Sequence, residues 1–294
     1  MRPVGERGFT LIELLVVVIV SSVILAAIYQ TIGSTQRITG TQVQRVHVQQ
    51  NTRAATLFLT YALRELDATD NDIAAVSDTA LRIRGVRWAG VLCTDPVDVG
   101  GDVGFVLRNS MHFGIRQPNS TLDSILLFRD GDPTLRTQRA DDRWLVGALQ
   151  STTDGTCPDG TGGKVVTVRI SAASGGRDST VGFVTAGAPI RGFQMEEISL
   201  YQSGGEAWLG RRSADRGGGW SEWQLLVGPL TADGMAFAYY DTTGAVTATL
   251  ADIASVGLVV RGRSPARAYL STGGIGYVQD SVITRVTLRN NRGF

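Results

Sequence analysis

The run from Gly8 to Ile28, GFTLIELLVVVIVSSVILAAI, constrains this chain more than any other stretch. About 20 apolar residues, here Phe9 to Ile28, span the ~30 Å hydrocarbon core of a bilayer at ~1.5 Å per residue. A single acid, Glu13, sits near the start of the run, and no Lys or Arg lies between Phe9 and Gln36. A carboxylate costs roughly 2.5–3.5 kcal/mol at the centre of a spanning helix and less toward its end, so it calls for a partner. Cutting the chain after Gly8 would create one, because Phe9 would then carry a free α-amino group one helical turn from Glu13. An ordinary secretory signal would instead be cleaved near Ala26-Ala27. That reading, like that of a plain single-span anchor, leaves Glu13 unexplained. A buried core helix does not need 20 such residues at the extreme N-terminus. Arg2 and Arg7 before the run place the N-terminus in the cytoplasm by the positive-inside rule.

Arg7-Gly8-Phe9-Thr10-Leu11-Ile12-Glu13, followed by Leu14-Leu15-Val16-Val17, resembles the type IV prepilin signal. The resemblance implies cleavage by a prepilin peptidase after Gly8 and N-methylation of Phe9. It also implies that Glu13 neutralises the N-terminal amine of a neighbouring subunit during assembly. Other pilins, the peptidase, an inner-membrane assembly platform and the membrane itself are then the partners, and no cofactor is implied.

The chain has 294 residues, 43% hydrophobic and 19% charged, ordinary for a globular protein that has room for one large domain or two small ones besides the anchor. Of 28 Lys+Arg and 27 Asp+Glu, residues 1–8 hold two basic and one acidic, so the processed chain is neutral. Neutrality argues against bulk nucleic-acid binding, which needs a basic surface. Arg82, Arg84 and Arg87 lie close together and read as the solvated face of a strand. The two cysteines, Cys93 and Cys157, sit beside the turn-forming runs Thr94-Asp95-Pro96 and Pro158-Asp159-Gly160. Beyond the anchor the chain should face the periplasm or the exterior, which favours a disulfide over two buried free thiols.

No proline occurs from Val4 to Asp95, so a single helix from Phe9 to Leu66, ~87 Å long at ~1.5 Å per residue, is expected. Val43, Val46, Ala54, Leu57, Phe58, Tyr61 and Leu66 form one apolar stripe at helical spacing, predicted to pack on a head. Gly33 and Gly40 each weaken the helix by ~1 kcal/mol and are the expected points of bending. After residue 69 short apolar runs take over. Strands are predicted at Leu81–Trp88, Ile125–Phe128, Val165–Ile170, Ile198–Tyr201, Met235–Tyr240, Val256–Val260 and Ile283–Leu288. Asp233-Gly234 and Asp241-Thr242-Thr243-Gly244 are read as turns between them. Asp95 to Gly104, Thr152 to Gly163 and Ser213 to Gly219 are read as loops. Trp220 and Trp223 beside the last either touch another subunit or pack across the head's own core.

The resulting expectation is an α+β, pilin-like fold, a long N-terminal helix on a mostly antiparallel sheet. The segments are a leader (1–8), a transmembrane and assembly helix (9–30), its continuation into the head (31–68) and a β-rich head (69–294). Trp223-Gln224-Leu225-Leu226, Phe237 to Gly244, Val256 to Val260 and Val286-Thr287-Leu288-Arg289-Asn290 look like large minor pilins of the PilW-like type, and are similar to larger minor pseudopilins of type II secretion. Residues 70–190 carry no such resemblance. The size also suits a minor subunit, with a priming or tip role. A pilus-borne adhesin or DNA-uptake receptor is the reading from another class.

Catalytic sets are not found. His47 and His112 are the only histidines, which excludes a His-rich metal motif. Gly160 to Val165 lacks phosphate-loop spacing, and Asp130-Gly131-Asp132 lacks the remaining ligands of a calcium loop. A structural, non-enzymatic subunit without a bound metal is expected, first in the inner membrane with its head in the periplasm, then in a pilus or pseudopilus.

Overall fold

The computed structural model describes residues 10–131, 142–270 and 273–288. One long helix, α1 (Leu11–Arg64), precedes the strands β1 (Ile73–Val76), β2 (Ala80–Val91), β3 (Val97–Val99), β4 (Asp102–Arg108), β5 (Phe113–Gly114), β6 (Ser124–Arg129) and β7 (Arg143–Thr156). These are followed by β8 (Gly162–Ile170), β9 (Pro189–Ser203), β10 (Glu206–Ser213), β11 (Gln224–Tyr240), β12 (Ser255–Tyr269) and β13 (Ile275–Thr287). Every pairing between these strands is antiparallel. The fold is therefore α+β, a long N-terminal helix on an antiparallel sheet.

The helix passes through Gly33 and Gly40 without interruption, so neither glycine melts it locally. Its C-terminal half is held by Val48, Thr52, Ala55, Leu59 and Leu63, all buried. These recur at intervals of three and four and make one face. Ala55, Leu59 and Leu63 meet Ile83 of β2, Ile198 of β9, Leu209 of β10, Phe237 of β11 and Leu258 of β12 in one core. Each buried leucine contributes about 1.5–3 kcal/mol. Helix and sheet approach closely at Gly262 of β12, where an added Cβ would lie 2.7 Å from Thr52 Cγ2 and 3.1 Å from Val48 Cγ1. Any larger residue there would prise the helix off the sheet.

The sheet under α1 runs β13–β12–β11–β10–β9–β2–β1. Strands β2 and β9 extend past it into a second lobe in which, among the described residues, the only helical pieces are short 3-10 turns. There β9 pairs β6, β6 pairs β7, β7 pairs β8 and β8 pairs β4. An antiparallel bridge from Leu92 to Leu107 returns from β4 to the end of β2. The six strands thus close a small barrel, filled by Trp88, Leu107, Ile125, Leu145, Val166 and Ile190, among others. Closure removes the edges that this half of the sheet would otherwise expose. Trp88 fits because its neighbour on β9 is Gly192, whose Cβ would stand 2.0 Å from the indole.

Several local expectations are corrected. Seven strand segments are found where they were predicted, except that Leu288 falls just beyond β13. The loop expected over Thr152 to Gly163 shrinks, because β7 runs to Thr156 and β8 starts at Gly162. Asp95 to Gly104 contains the hairpin β3–β4, with Gly100 and Gly101 in the left-handed region at its turn. Asp233-Gly234 is not a turn between strands; it lies inside β11, where the register with β12 shifts. Asp241 to Gly244 is a turn, closed by Gly244 N–H to Asp241 O at 3.1 Å.

Arg84 and Arg87 are not solvated. Arg87 pairs with Glu196 and gives Nε–H to Gln194 Oε1 at 3.1 Å. Arg84 lies 3.9 Å from Asp72 and donates to the Asp70 carbonyl. Burial pulls both guanidinium pKa values down from the ordinary arginine range, opposed chiefly by Glu196 for Arg87 and Asp72 for Arg84. Only Arg82 keeps an open face, while pairing with Glu197. Gly85 makes this possible, because Glu196 folds over it and a Cβ would lie 2.4 Å from the carboxyl carbon.

The helix ends in a turn that Asp67 and Asp72 hold. Asp67 Oδ1 accepts from Thr69 N at 2.9 Å, an Asx turn, and Asp67 N–H donates to Asp72 Oδ2 at 3.0 Å. Burial raises the Asp72 pKa to about 6. The Asp67 N–H and Arg84, with Arg191 further off, oppose the rise, while Asp70 adds to it. A folded-state pKa above the ordinary 3.8 means that the folded protein binds the proton more tightly than the unfolded chain. The stabilisation is therefore present in acid and is lost as pH rises from about 4 through about 6. Asp72→Asn should lack this decline: unfolding titrations from pH 4 to 8 are expected to show wild type losing at most about 3 kcal/mol relative to the variant. Parallel pH profiles would contradict the assignment.

Candidate assembly surface

The expected leader, with the expected cleavage site Gly8 and methylation site Phe9, lies outside the described residues, so the surface begins at Thr10. Thr10 is the N-cap of α1, in extended backbone, and its hydroxyl accepts from Glu13 N–H at 3.4 Å. Thr10 and Glu13 have the Thr-x-x-Glu spacing of a capping box, a signal of the helix start that the sequence carries. Glu13 is thereby placed in the first turn, where a carboxylate also complements the positive end of the helix dipole. Its side chain is exposed.

Every residue from Leu11 to Ile32 is exposed. This part of α1 is long and apolar enough to cross a membrane. Such a surface is unstable in water and must be covered by lipid or protein.

Above it, the face assignment made from periodicity is reversed. Val43, Val46, Ala54, Leu57 and Tyr61 point away from the head, with Leu57 58% and Tyr61 70% exposed. Of the seven residues predicted to pack, only Leu66 is buried, and Phe58 is half-buried. The buried set lies roughly half a turn away around the helix. Two apolar stripes thus satisfy the same 3.6-residue period. The one holding Val48 and Thr52, where a polar side chain lies flat over Gly262, is consumed by the head.

Cys93 and Cys157 form a disulfide. Cys93 follows the end of β2, and its N–H donates to Val106 O of β4 at 2.8 Å. Cys157 opens the β7–β8 turn. The bridge ties the seam of the barrel to a neighbouring hairpin and spans 64 residues of sequence. A loop of that length gives roughly 4 kcal/mol in the chain-entropy account.

Trp220 and Trp223 lie half-buried on the sheet's outer surface rather than in a core. Arg212 stands over both rings at 4.7 Å, and Trp223 stacks on Tyr201 at 4.9 Å. The rings are thus occupied by their own neighbours. His47 is exposed on α1. The ring of His112 stacks on Trp88 with its Nε2 3.2 Å from Arg116 O, a packing role. The acids of the Gly/Asp-rich turns bind within the chain. Asp98 accepts from Gly101 N–H and Arg177. The Thr161 hydroxyl, with Arg108, holds the Asp159 carboxyl below its usual range. Among the described residues no group of three or more His, Cys, Asp or Glu is placed to hold a metal; Asp132 of the Asp-Gly-Asp run lies outside them.

Residues 5–29 match the family described as the prokaryotic N-terminal methylation motif. This segment is type IV prepilin-like and supports a subunit of the pilin or pseudopilin class. Proteins of this class are structural subunits that a prepilin peptidase processes and that assemble with other pilins, and the apolar helix anchors the chain in a membrane beforehand. The match covers the N-terminal segment alone. No curated protein and no solved structure was found to match the chain.

Proposed function

We propose that this chain is a minor pilin of the PilW-like type, non-enzymatic, that enters a type IV pilus through α1 and primes or caps the fibre. The peptidase cuts after Gly8, Phe9 becomes the N-methylated terminus, and Glu13 pairs with the terminal amine of a neighbour. Before assembly, residues 9–30 lie in the inner membrane with the N-terminus cytoplasmic and the head periplasmic.

The observation that carries this reading is the second apolar stripe of α1. Val43, Val46, Leu57 and Tyr61 extend the exposed surface of Leu11–Ile32 along the head-bearing half of the helix. Lipid covers the lower part before assembly, whereas the upper part gains cover only from protein. A neighbouring helix laid along α1 would cover both in one interface. The barrel lobe supports a low-copy role, because it adds bulk that a closely repeated head would have to accommodate.

The mass of the mature N-terminus tests the processing step. The expected chain starts at N-methyl-Phe9; a start at Met1 or near Tyr29 would sink the reading.

A further inference from the structure

Where α1 leaves its apolar segment, the structure holds a groove of about 450 Å³ between the helix and the end of the β12–β13 hairpin. Its helix side is opened by Gly33 and Gly40, where an added Cβ would meet nothing within 4 Å. Gln36 and Arg37 line it from α1, and Arg267 and Tyr269 from β12. Thr41 Oγ1 donates to Tyr269 O at 3.0 Å and fixes the hairpin to the helix. The Arg37 guanidinium lies 4.8 Å from the centre of the Tyr269 ring. Stacked this way, it keeps its N–H edges free for an oxyanion. Among the described residues, neither Arg37 nor Arg267 forms an ion pair with a carboxylate.

The depth of the groove is set by the sequence. Between Glu13 and Arg37 no charged residue occurs. Tyr29, exposed on the face of α1 that carries Gly33, Gln36 and Gly40, suits the aromatic belt at a membrane interface. Arg37 lies two turns beyond it, ~12 Å along the axis, and side chains on a helix lean back toward its N-terminus. The headgroup layer adds about 5–8 Å to each side of the hydrocarbon. The Arg37 side chain therefore leans toward the level of the lipid phosphates, and Arg267 lines the same groove from farther out, where Thr41 and Gln44 hold its strand. Ile275, paired with Tyr269 across the end of the hairpin, is exposed beside them.

We propose that this groove binds the phosphate of an anionic phospholipid and seats the head on the bilayer before assembly. Arg37 and Arg267 clasp the phosphate, and Ile275 and Tyr269 meet the interface. The inference rests on the reading that α1 occupies a membrane before assembly.

The test uses the full mature chain in nanodiscs of mixed phosphatidylglycerol and phosphatidylcholine. Resistance to carbonate extraction from matching vesicles is measured first. Native mass spectrometry then reads the ratio of the two lipids retained by the protein. Wild type is expected to enrich phosphatidylglycerol over the bulk ratio. Arg37→Gln and Arg267→Gln should each lower the enrichment about fivefold, and the double variant about thirtyfold. Arg53→Gln, on the same helix but ~24 Å farther from the bilayer, should leave it unchanged. Equal enrichment in wild type and the double variant overturns the proposal while leaving the membrane reading intact. Displacement of the lipid by millimolar inorganic phosphate would overturn the lipid assignment in favour of a free-anion site. A chain extracted by carbonate overturns both readings.

Discussion

Glu13→Val is expected to leave the chain in the membrane and to remove it from the fibre. Valine lowers the cost of insertion, since the carboxylate is the one unfavourable group in the span. The helix start survives, because Thr10 receives the backbone N–H of residue 13 and not its side chain. In the proposed role, what disappears is the anion that would meet a neighbour's amine. An amine left unpaired in a helix bundle costs about 3–5 kcal/mol, a factor of hundreds or more in incorporation. Glu13→Gln, which can still accept a hydrogen bond, should fall between the two. The measurement is the fraction of each variant in sheared fibres against the membrane fraction. Equal incorporation of wild type and Glu13→Val would refute the role.

Asp123→Ala is expected to destabilise the head severely. The Asp123 carboxylate is fully buried and accepts from Trp88 Nε1–H at 2.8 Å, from Asn119 N–H at 2.8 Å and from both terminal nitrogens of Arg116. Arg116 also reaches Gln194 Oε1 at 3.2 Å, the atom that takes Arg87 Nε–H. Leu149 N–H of β7 donates to Asp123 O at 3.3 Å, so the residue joins β2, the start of β6 and β7 in the barrel. Removing the carboxylate leaves the buried indole N–H without an acceptor and Arg116 without its counter-ion. The expected loss is about 3–5 kcal/mol in denaturant unfolding of the full chain in detergent. Asp123→Asn keeps an acceptor for Trp88 and should lose about half of that. A loss below about 1 kcal/mol for the alanine variant would show that the network is not a determinant of stability.

The barrel network and the membrane segment differ in how far they could be read in advance. Trp88, Asp123 and Gln194 are scattered over more than 100 residues, and nothing in the local pattern of any of them announces the others. The same holds for Arg84 and Arg87. Arginines on a strand normally face water, and only the arrival of Asp72 from the helix end and Glu196 from β9 makes their burial tolerable. Residues 70–190, which carried no resemblance, hold most of the barrel. Its closure depends on one bridge, between Leu92 and Leu107, that no periodicity encodes. The face of α1 that meets the head is hidden from the sequence for a related reason. Periodicity finds an apolar stripe but cannot rank two stripes on one helix, and Gly262 decides which of them the sheet can approach.

The sequence by itself determined the anchor, the processing motif, the long helix and the alternation of its strands. These rest on length, apolarity and local spacing, which the chain carries within windows of a few to about twenty residues. Only the tertiary structure decided which stripe of the helix was left outward, which arginines went inside and how one open sheet became a sheet and a barrel. Each of those outcomes is a contest between distant groups for the same buried space, settled by close packing and by the cost of leaving a charge or a polar group unpaired.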